Sequence, residues 1–183
     1  MGKAEKRKVF IVIERRADYS RYRPILQKMK EDPFFDIYLV VTGICLLDIH
    51  GKDVNYIKDD SFEINAQLKM FNADRPDTGG EMVRSMARVM SSLVDELEKA
   101  QPDIVLSGFD IGANMAVTIA AAHMNIPVAH IQGGEVNMGK FTHSMPDTFI
   151  NTTGYFATLY MGYRNIHMSS SNSNSHICTN IKS

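Results

Sequence analysis

Three short stretches of this chain bring together residue types that do chemistry on a charged small molecule. "ERRADYS" (14–20) sets Arg15 and Arg16 straight after an apolar run and ahead of a helix-like segment, with Asp18 or Ser20 as the expected helix cap. A guanidinium beside a helix N-terminus suits a phosphate, because a planar cation donates paired hydrogen bonds where the helix already offers unpaired N–H groups. The plainer alternative is that Arg16 pairs with a surface carboxylate. "SGFDIGAN" (107–114) places Asp110 just before Gly112. A carboxylate there is either an acid–base group or a helix cap, since both need it aimed at the open end of a strand. "HIQGGE" (130–135) ends a third apolar run in Gly133, Gly134 and Glu135. The glycines permit close approach of a ligand to the backbone, and Glu135 then projects toward the crevice of Asp110; otherwise it is an exposed acid after a glycine turn. His130, inside the run, reads as a hydrogen-bonded core histidine.

Such residues need a scaffold that collects strand ends. "VFIVI" (9–13), "DIYLVV" (36–41), "DIVLSG" (103–108) and "PVAHI" (127–131) are apolar, rich in β-branched residues, and read as strands covered on both faces. Between them lie helix-length segments. Residues 18–33 carry Ile25, Leu26 and Met29 at helical spacing, with Pro24 expected near the first turn, where its missing N–H is harmless. Residues 78–103 place Met82, Met86, Met90, Leu93 and Leu97 on one apolar stripe and should end before Pro102. Residues 111–125 are Ala-rich and apolar nearly all round, as in a helix packed closely on a sheet. Strands alternating with helices make βαβ units, hence an α/β fold with a doubly wound parallel sheet. Ligands in such sheets bind at the carboxyl ends of the strands, where all three stretches fall. The expected organisation is a basic leader (1–7), one α/β domain (8–166, regular to about 136) and a Ser/Asn-rich tail (167–183) too polar to pack and expected to be disordered.

The 183 residues carry a formal net charge of −1, with Lys and Arg scattered, so nucleic acid and anionic membrane surfaces are not expected partners. Cys45 and Cys178 lack CxxC spacing, which favours reduced thiols over a disulfide or zinc site. No apolar run approaches the ~20 residues of a membrane span, and the N-terminal stretch lacks a small-residue cleavage site, so a cytoplasmic location is expected. Neither GxGxxG, GxxxxGK[ST] nor GxSxG occurs, and no paired metal-ligand spacing is visible.

"RRADYSRYRPIL", "VVTG" with the following "GKDVNYIKDD", and "MNIPVAHIQGGE" resemble, in that order, the N-terminal half of UDP-N-acetylglucosamine 2-epimerases, most nearly the hydrolysing branch of sialic- and legionaminic-type acid synthesis. The likeness covers roughly residues 8 to 136. It implies a Rossmann-like domain forming one half of a glycosyltransferase-B-like pair that encloses a nucleotide sugar in a cleft. It also implies elimination of UDP with loss of the C2 proton, then addition of water with inversion at C2, giving N-acetylmannosamine and UDP. By the same resemblance Arg16 and Ser20 are contacts of the diphosphate, Asp110 is an acid–base carboxylate, Glu135 is a second catalytic carboxylate, and Gln132, Gly133 and Gly134 line the ligand. The implied partner is UDP-N-acetylglucosamine or a related UDP-amino sugar, with a homo-oligomer or association through an exposed domain face also expected. No metal or organic cofactor is implied.

The chain departs from the family at several points. Phe109, Asp110 and Ile111 stand where many relatives have Gly-Asp-Arg, Gln132 replaces an acid, Cys45 replaces a histidine, and Pro146 falls where an arginine is expected. A two-domain enzyme of this kind needs about twice this length, so the second domain is expected to be absent, leaving either an epimerase half or a catalytically silent module that binds a nucleotide or a partner chain.

Overall fold

The computed structural model describes residues 6–48, 53–72, 74–76, 78–108 and 112–131, and the backbone of 159–161. The elements run β1 (Arg7–Ile13), α1 (Arg16–Glu31), β2 (Phe35–Thr42), a 3₁₀ turn (Gly43–Leu46), α2 (Val54–Asp59), β3 (Ala66–Leu68), α3 (Gly79–Ala100), β4 (Ile104–Gly108), α4 (Gly112–His123), β5 (Val128–Ile131) and β6 (Leu159–Met161). Six strands form one sheet in the order β3-β2-β1-β4-β5-β6, and every neighbouring pair is parallel. This is the doubly wound arrangement that the strand and helix alternation predicts.

The side-chain period of two explains the layers. Val9, Ile11 and Ile13 of β1 pack with Tyr22, Leu26 and Met29 of α1 and Val54 and Ile57 of α2. Phe10 and Val12 point the other way, into Val89, Leu93 and Leu97 of α3 and Ala113, Ala116 and Val117 of α4. Because both faces are covered, β1 is a continuous apolar run rather than an alternating one. The small residues of α4 allow it to lie close to the sheet.

Three local expectations are corrected. α1 begins at Arg16, so Pro24 lies in the helix interior, where it has no N–H for the Ser20 carbonyl. Ser20 is not the cap: its hydroxyl donates to the Arg16 carbonyl at 3.1 Å, within the first turn and a half of the helix. The cap is Arg15, with Asp18 at the third helical position accepting from the Arg15 backbone N–H at 2.9 Å. In α3 the wholly buried line is Ser85, Val89, Leu93 and Leu97, while Met82, Met86 and Met90 flank it half-buried. The helix starts on Thr78, whose hydroxyl accepts from Glu81 N at 3.2 Å, and stops at left-handed Gln101 just before Pro102.

Elements α2, β3 and β6 were not expected. β6 pairs with β5 through Ala129↔Leu159 to Ile131↔Met161, beyond the point where the regular pattern was read to stop.

Candidate functional site at the carboxyl edge of the sheet

The strand order reverses between β1 and β4, since the chain moves outward through β2 and β3 on one side and through β5 and β6 on the other. The carboxyl ends flanking such a reversal form the natural crevice of an open α/β sheet. Three chain exits meet here. β1 leaves through Glu14, Arg15 and Arg16, β4 through Gly108, and β5 through Ile131, which is in register with Gly108. A Cβ on Gly108 would stand 3.1 Å from the Ile131 Cβ, so the two exits run side by side.

Arg15 and Arg16 do different work. The Arg15 guanidinium is turned back onto Asp18, with Nε 3.2 Å from Oδ2 and a terminal nitrogen 3.0 Å from Oδ1. Asp18 is wholly buried, and that burial raises its carboxyl above the ordinary value despite the opposing pull of Arg15. Arg16 is exposed, and its guanidinium carbon sits 3.9 Å from the centroid of the Tyr56 ring on α2. Stacking on an aromatic face orients the guanidinium while leaving its in-plane N–H groups able to donate.

Glu14 is the unexpected group. It is 4% exposed, and its carboxylate accepts a 2.8 Å hydrogen bond from the backbone N–H of Ala113, in the first turn of α4. Gly43, at φ +62°, makes room for it: a Cβ there would fall on the Glu14 Cγ. The adjacent Cys45 thiol is pushed up to about 12, chiefly by burial and then by the nearby Asp53, Asp18 and Glu14 carboxylates, so it stays protonated and unreactive at neutral pH.

Beneath the edge lies a buried polar cluster. Asn114 donates its carboxamide N–H to the Gly108 carbonyl, and the Thr118 hydroxyl lies 2.7 Å from the Asn114 carbonyl and 2.8 Å from the Ser107 hydroxyl. His130 Nδ1 is 3.2 Å from the Ser107 carbonyl, which can only accept, so the proton sits on Nδ1. Burial lowers the His130 pKa and keeps the ring neutral, in keeping with a core histidine.

Of the residues singled out from sequence, Arg16 and Ser20 stand at this edge, on the first turns of α1. Asp110, Gln132, Gly133, Gly134 and Glu135 lie outside the described residues. So do Cys178 and Pro146. Glu14, Gly43, Tyr56 and Asn114 were not singled out. An acid interrupting the junction of an apolar strand and an arginine pair was the one available signal for Glu14. Among the described residues no group of three or more His, Cys, Asp and Glu side chains could hold a metal ion, and no helix is long and apolar enough to cross a membrane.

A doubly wound sheet with its crevice at this reversal is Rossmann-like, and the match to one half of solved epimerase structures makes it half of a glycosyltransferase-B-like architecture. It superposes on solved structures of that architecture, among them the UDP-N-acetylglucosamine 2-epimerase of Neisseria meningitidis bound to UDP-N-acetylglucosamine, with a TM-score of 0.72 at 18% identity, over 85% of this chain and 39% of that one. The UDP-N-acetylglucosamine 2-epimerase family model matches residues 27–150. The chain belongs to that family. It is 34% identical over 129 residues to the hydrolysing UDP-N,N'-diacetylbacillosamine 2-epimerase of Legionella pneumophila, covering 70% of this chain and 34% of that protein. It is 26% identical over 140 residues to the hydrolysing GDP/UDP-N,N'-diacetylbacillosamine 2-epimerase of Campylobacter jejuni, covering 76% of this chain and 36% of that protein. The chain thus spans about a third of the length of these relatives.

Proposed function

We propose that this chain is the N-terminal, sugar-nucleotide-binding part of a hydrolysing 2-epimerase that acts on a UDP-2-acetamido sugar. The observation that carries the reading is the 34% identity to a hydrolysing 2-epimerase over 129 residues, 70% of the chain. In the reaction a base removes the proton from C2 and the C1–O bond to UDP breaks, its electron pair leaving with the diphosphate. Water then adds across the resulting double bond, its hydroxyl joining C1 and a proton entering C2 from the opposite face. Two needs follow: a carboxylate close to C2 and positive charge on the diphosphate as its charge grows.

Arg16 meets the second need, braced on Tyr56 at the mouth of the crevice, with Ser20 one turn further along α1. Asp110 meets the first, because it lies two residues before α4, and Glu135 joins it from the β5 exit, which starts beside that of β4. Gln132, Gly133 and Gly134 belong to the β5 exit and lie along the sugar. The domain spans residues 8–166, and the other wall of the cleft comes from a second domain or a second copy of the chain.

Calorimetric titration with UDP, repeated on Arg16→Ala, tests the reading beside an assay of UDP release from UDP-N-acetylglucosamine and from UDP-N,N'-diacetylbacillosamine. Loss of one charge-assisted phosphate contact should weaken UDP binding about tenfold, ~1.4 kcal/mol. Turnover of either sugar establishes the enzyme; binding without turnover means a half-site awaiting its second wall; absence of UDP binding at millimolar ligand removes Arg16 and Ser20 from the site.

A further inference from the structure

We propose that Asp18 is a positioning residue for Arg16, fixing from inside the protein the first turn of α1 on which that guanidinium is carried. The proposal rests on the reading of Arg16 as a contact of the diphosphate. Arg16 is the first residue of α1, so its backbone is only as well placed as the helix start. That start is closed on Arg15 from both directions. The Arg15 carbonyl accepts from the Asp18 and Tyr19 N–H groups, each at 3.1 Å, and the Arg15 N–H donates to Asp18 Oδ2 at 2.9 Å. The Arg15 guanidinium adds two more hydrogen bonds to the same carboxylate, at 3.2 and 3.0 Å.

The need for such a hold comes from Pro24. It has no N–H to give the Ser20 carbonyl, so the ladder of α1 has a gap directly after the stretch that carries Arg16 and Ser20. Buried side chains therefore tie that stretch down: Asp18 is wholly buried, and Tyr19, nearly so, donates its hydroxyl to Asp60. Arg16 is exposed, with its head on Tyr56 and its root on the turn that Asp18 closes. A simple charge argument gives the opposite expectation for function. A carboxylate two residues from an anion site repels the ligand and masks Arg15, so its removal would tighten binding. Positioning requires that its removal weaken binding, and the sign separates the two.

The test is calorimetric titration of the whole chain with UDP, on the wild type, Arg16→Ala, Asp18→Ala, Asp18→Asn and both Asp18 changes in the Arg16→Ala background, with amide hydrogen exchange beside it. Asp18→Ala should weaken UDP binding about fivefold, and no more than Arg16→Ala does, because it lowers the fraction of chains whose first turn is formed. Asp18→Asn fills the same volume and keeps one acceptor oxygen for the Arg15 N–H, so it should lose only about twofold. In the Arg16→Ala background neither change should weaken binding further, as for a residue that acts through another. Exchange of the Arg15 amide should speed about tenfold in Asp18→Ala while the amides of β1 keep their protection. If β1 protection is lost as well, Asp18→Asn carries the comparison. Tighter or unchanged UDP binding in both Asp18 variants overturns the proposal, since Asp18 is then no more than a masking charge. An equal further loss in the Arg16→Ala background also overturns it, because Asp18 then supports the fold at large. Arg16→Ala that binds UDP as the wild type does is a separate failure: it removes the diphosphate reading of Arg16, and the positioning role with it.

Discussion

Two helices begin at the same edge of this sheet, one on each face, and their N-termini are furnished in opposite ways. α1 opens on an exposed Arg16 laid over Tyr56, with its own acid, Asp18, turned inward onto Arg15. α4 opens in the interior, on glycine and alanine, with the Glu14 carboxylate already accepting from the Ala113 N–H. On the proposed reading an anionic ligand is met at α1 by a side-chain cation, while the α4 terminus, already holding a carboxylate, does not attract it. Phosphate sites built on a glycine-rich loop use the backbone as the donor; here the Ala113 N–H is spent on Glu14, and on the proposed reading recognition falls to the Arg16 guanidinium.

The contrast is sharpest in packing. A Cβ on Gly112 would stand 2.9 Å from the Met86 Cγ and 3.1 Å from the Met70 Cε. Alanine there gains helix propensity that offsets part of the clash, so Gly112→Val is the cleaner probe. It should cost about 1–3 kcal/mol of stability, part of which returns in a Met86→Ala background. At the second position of α1, Ala17 is exposed, and Ala17→Ser should change stability by less than about 0.5 kcal/mol. Urea denaturation of the three variants makes the comparison. Equal effects at the two positions would mean that α4 is not seated as tightly as the distances indicate.

Ligand binding should divide the opposite way. Arg16→Ala, expected to lose about tenfold in UDP affinity, should leave stability within about 0.5 kcal/mol because the side chain is exposed. Tyr56→Ala should lose about threefold, since it removes only the surface on which the guanidinium rests, an exposed cation–π contact of ~0.5–1 kcal/mol. A Tyr56→Ala loss as large as that of Arg16→Ala would mean that the ring itself touches the ligand. Tyr56→Phe keeps the stacking face and should bind as the wild type does.

How much of this was legible in the sequence depends on the range of the interaction. β1, β2, β4, β5, α1, α3 and α4 each carry enough apolar residues in one period to be recognised, and their alternation gives the sheet. α2, β3 and β6, of six, three and three residues, are too short to show a period. The start of α1 was misread because Arg15 is not among the usual capping residues; the acid that completes the cap is three positions inside the helix. Arg16 and Ser20 could be picked out because they lie beside the strand they follow. Glu14 could not, since its partner is 99 residues away and its charge reads equally well as part of an exposed turn. Tyr56 joins Arg16 only through the packing of α2 on α1.

That packing gives the smallest and most selective prediction. Arg16, Tyr19 and Arg23 lie on one stripe of α1 facing α2: Arg16 stacks on Tyr56, while Tyr19 and Arg23 both bond Asp60, the latter at 2.6 and 2.8 Å. The Arg23 and Tyr19 hydrogen bonds hold the Asp60 carboxyl at about 2, below its ordinary 3.8. Between these values the unfolded chain binds more protons than the folded one, so stability rises with pH across that window. The contribution of Asp60 is thus complete above about pH 4 and fades as pH falls toward 2. The difference in melting temperature between the wild type and Asp60→Asn should accordingly be constant from pH 7 to pH 4 and shrink below it, with UDP affinity at pH 7 reduced less than in Tyr56→Ala. A difference that persists unchanged to pH 2 would mean that the tie acts through shape and hydrogen bonding alone. Undiminished UDP affinity would mean that Tyr56 keeps its place under Arg16 without help from the rest of the α1–α2 seam, and the exposed helix terminus would then be as self-sufficient as the buried one.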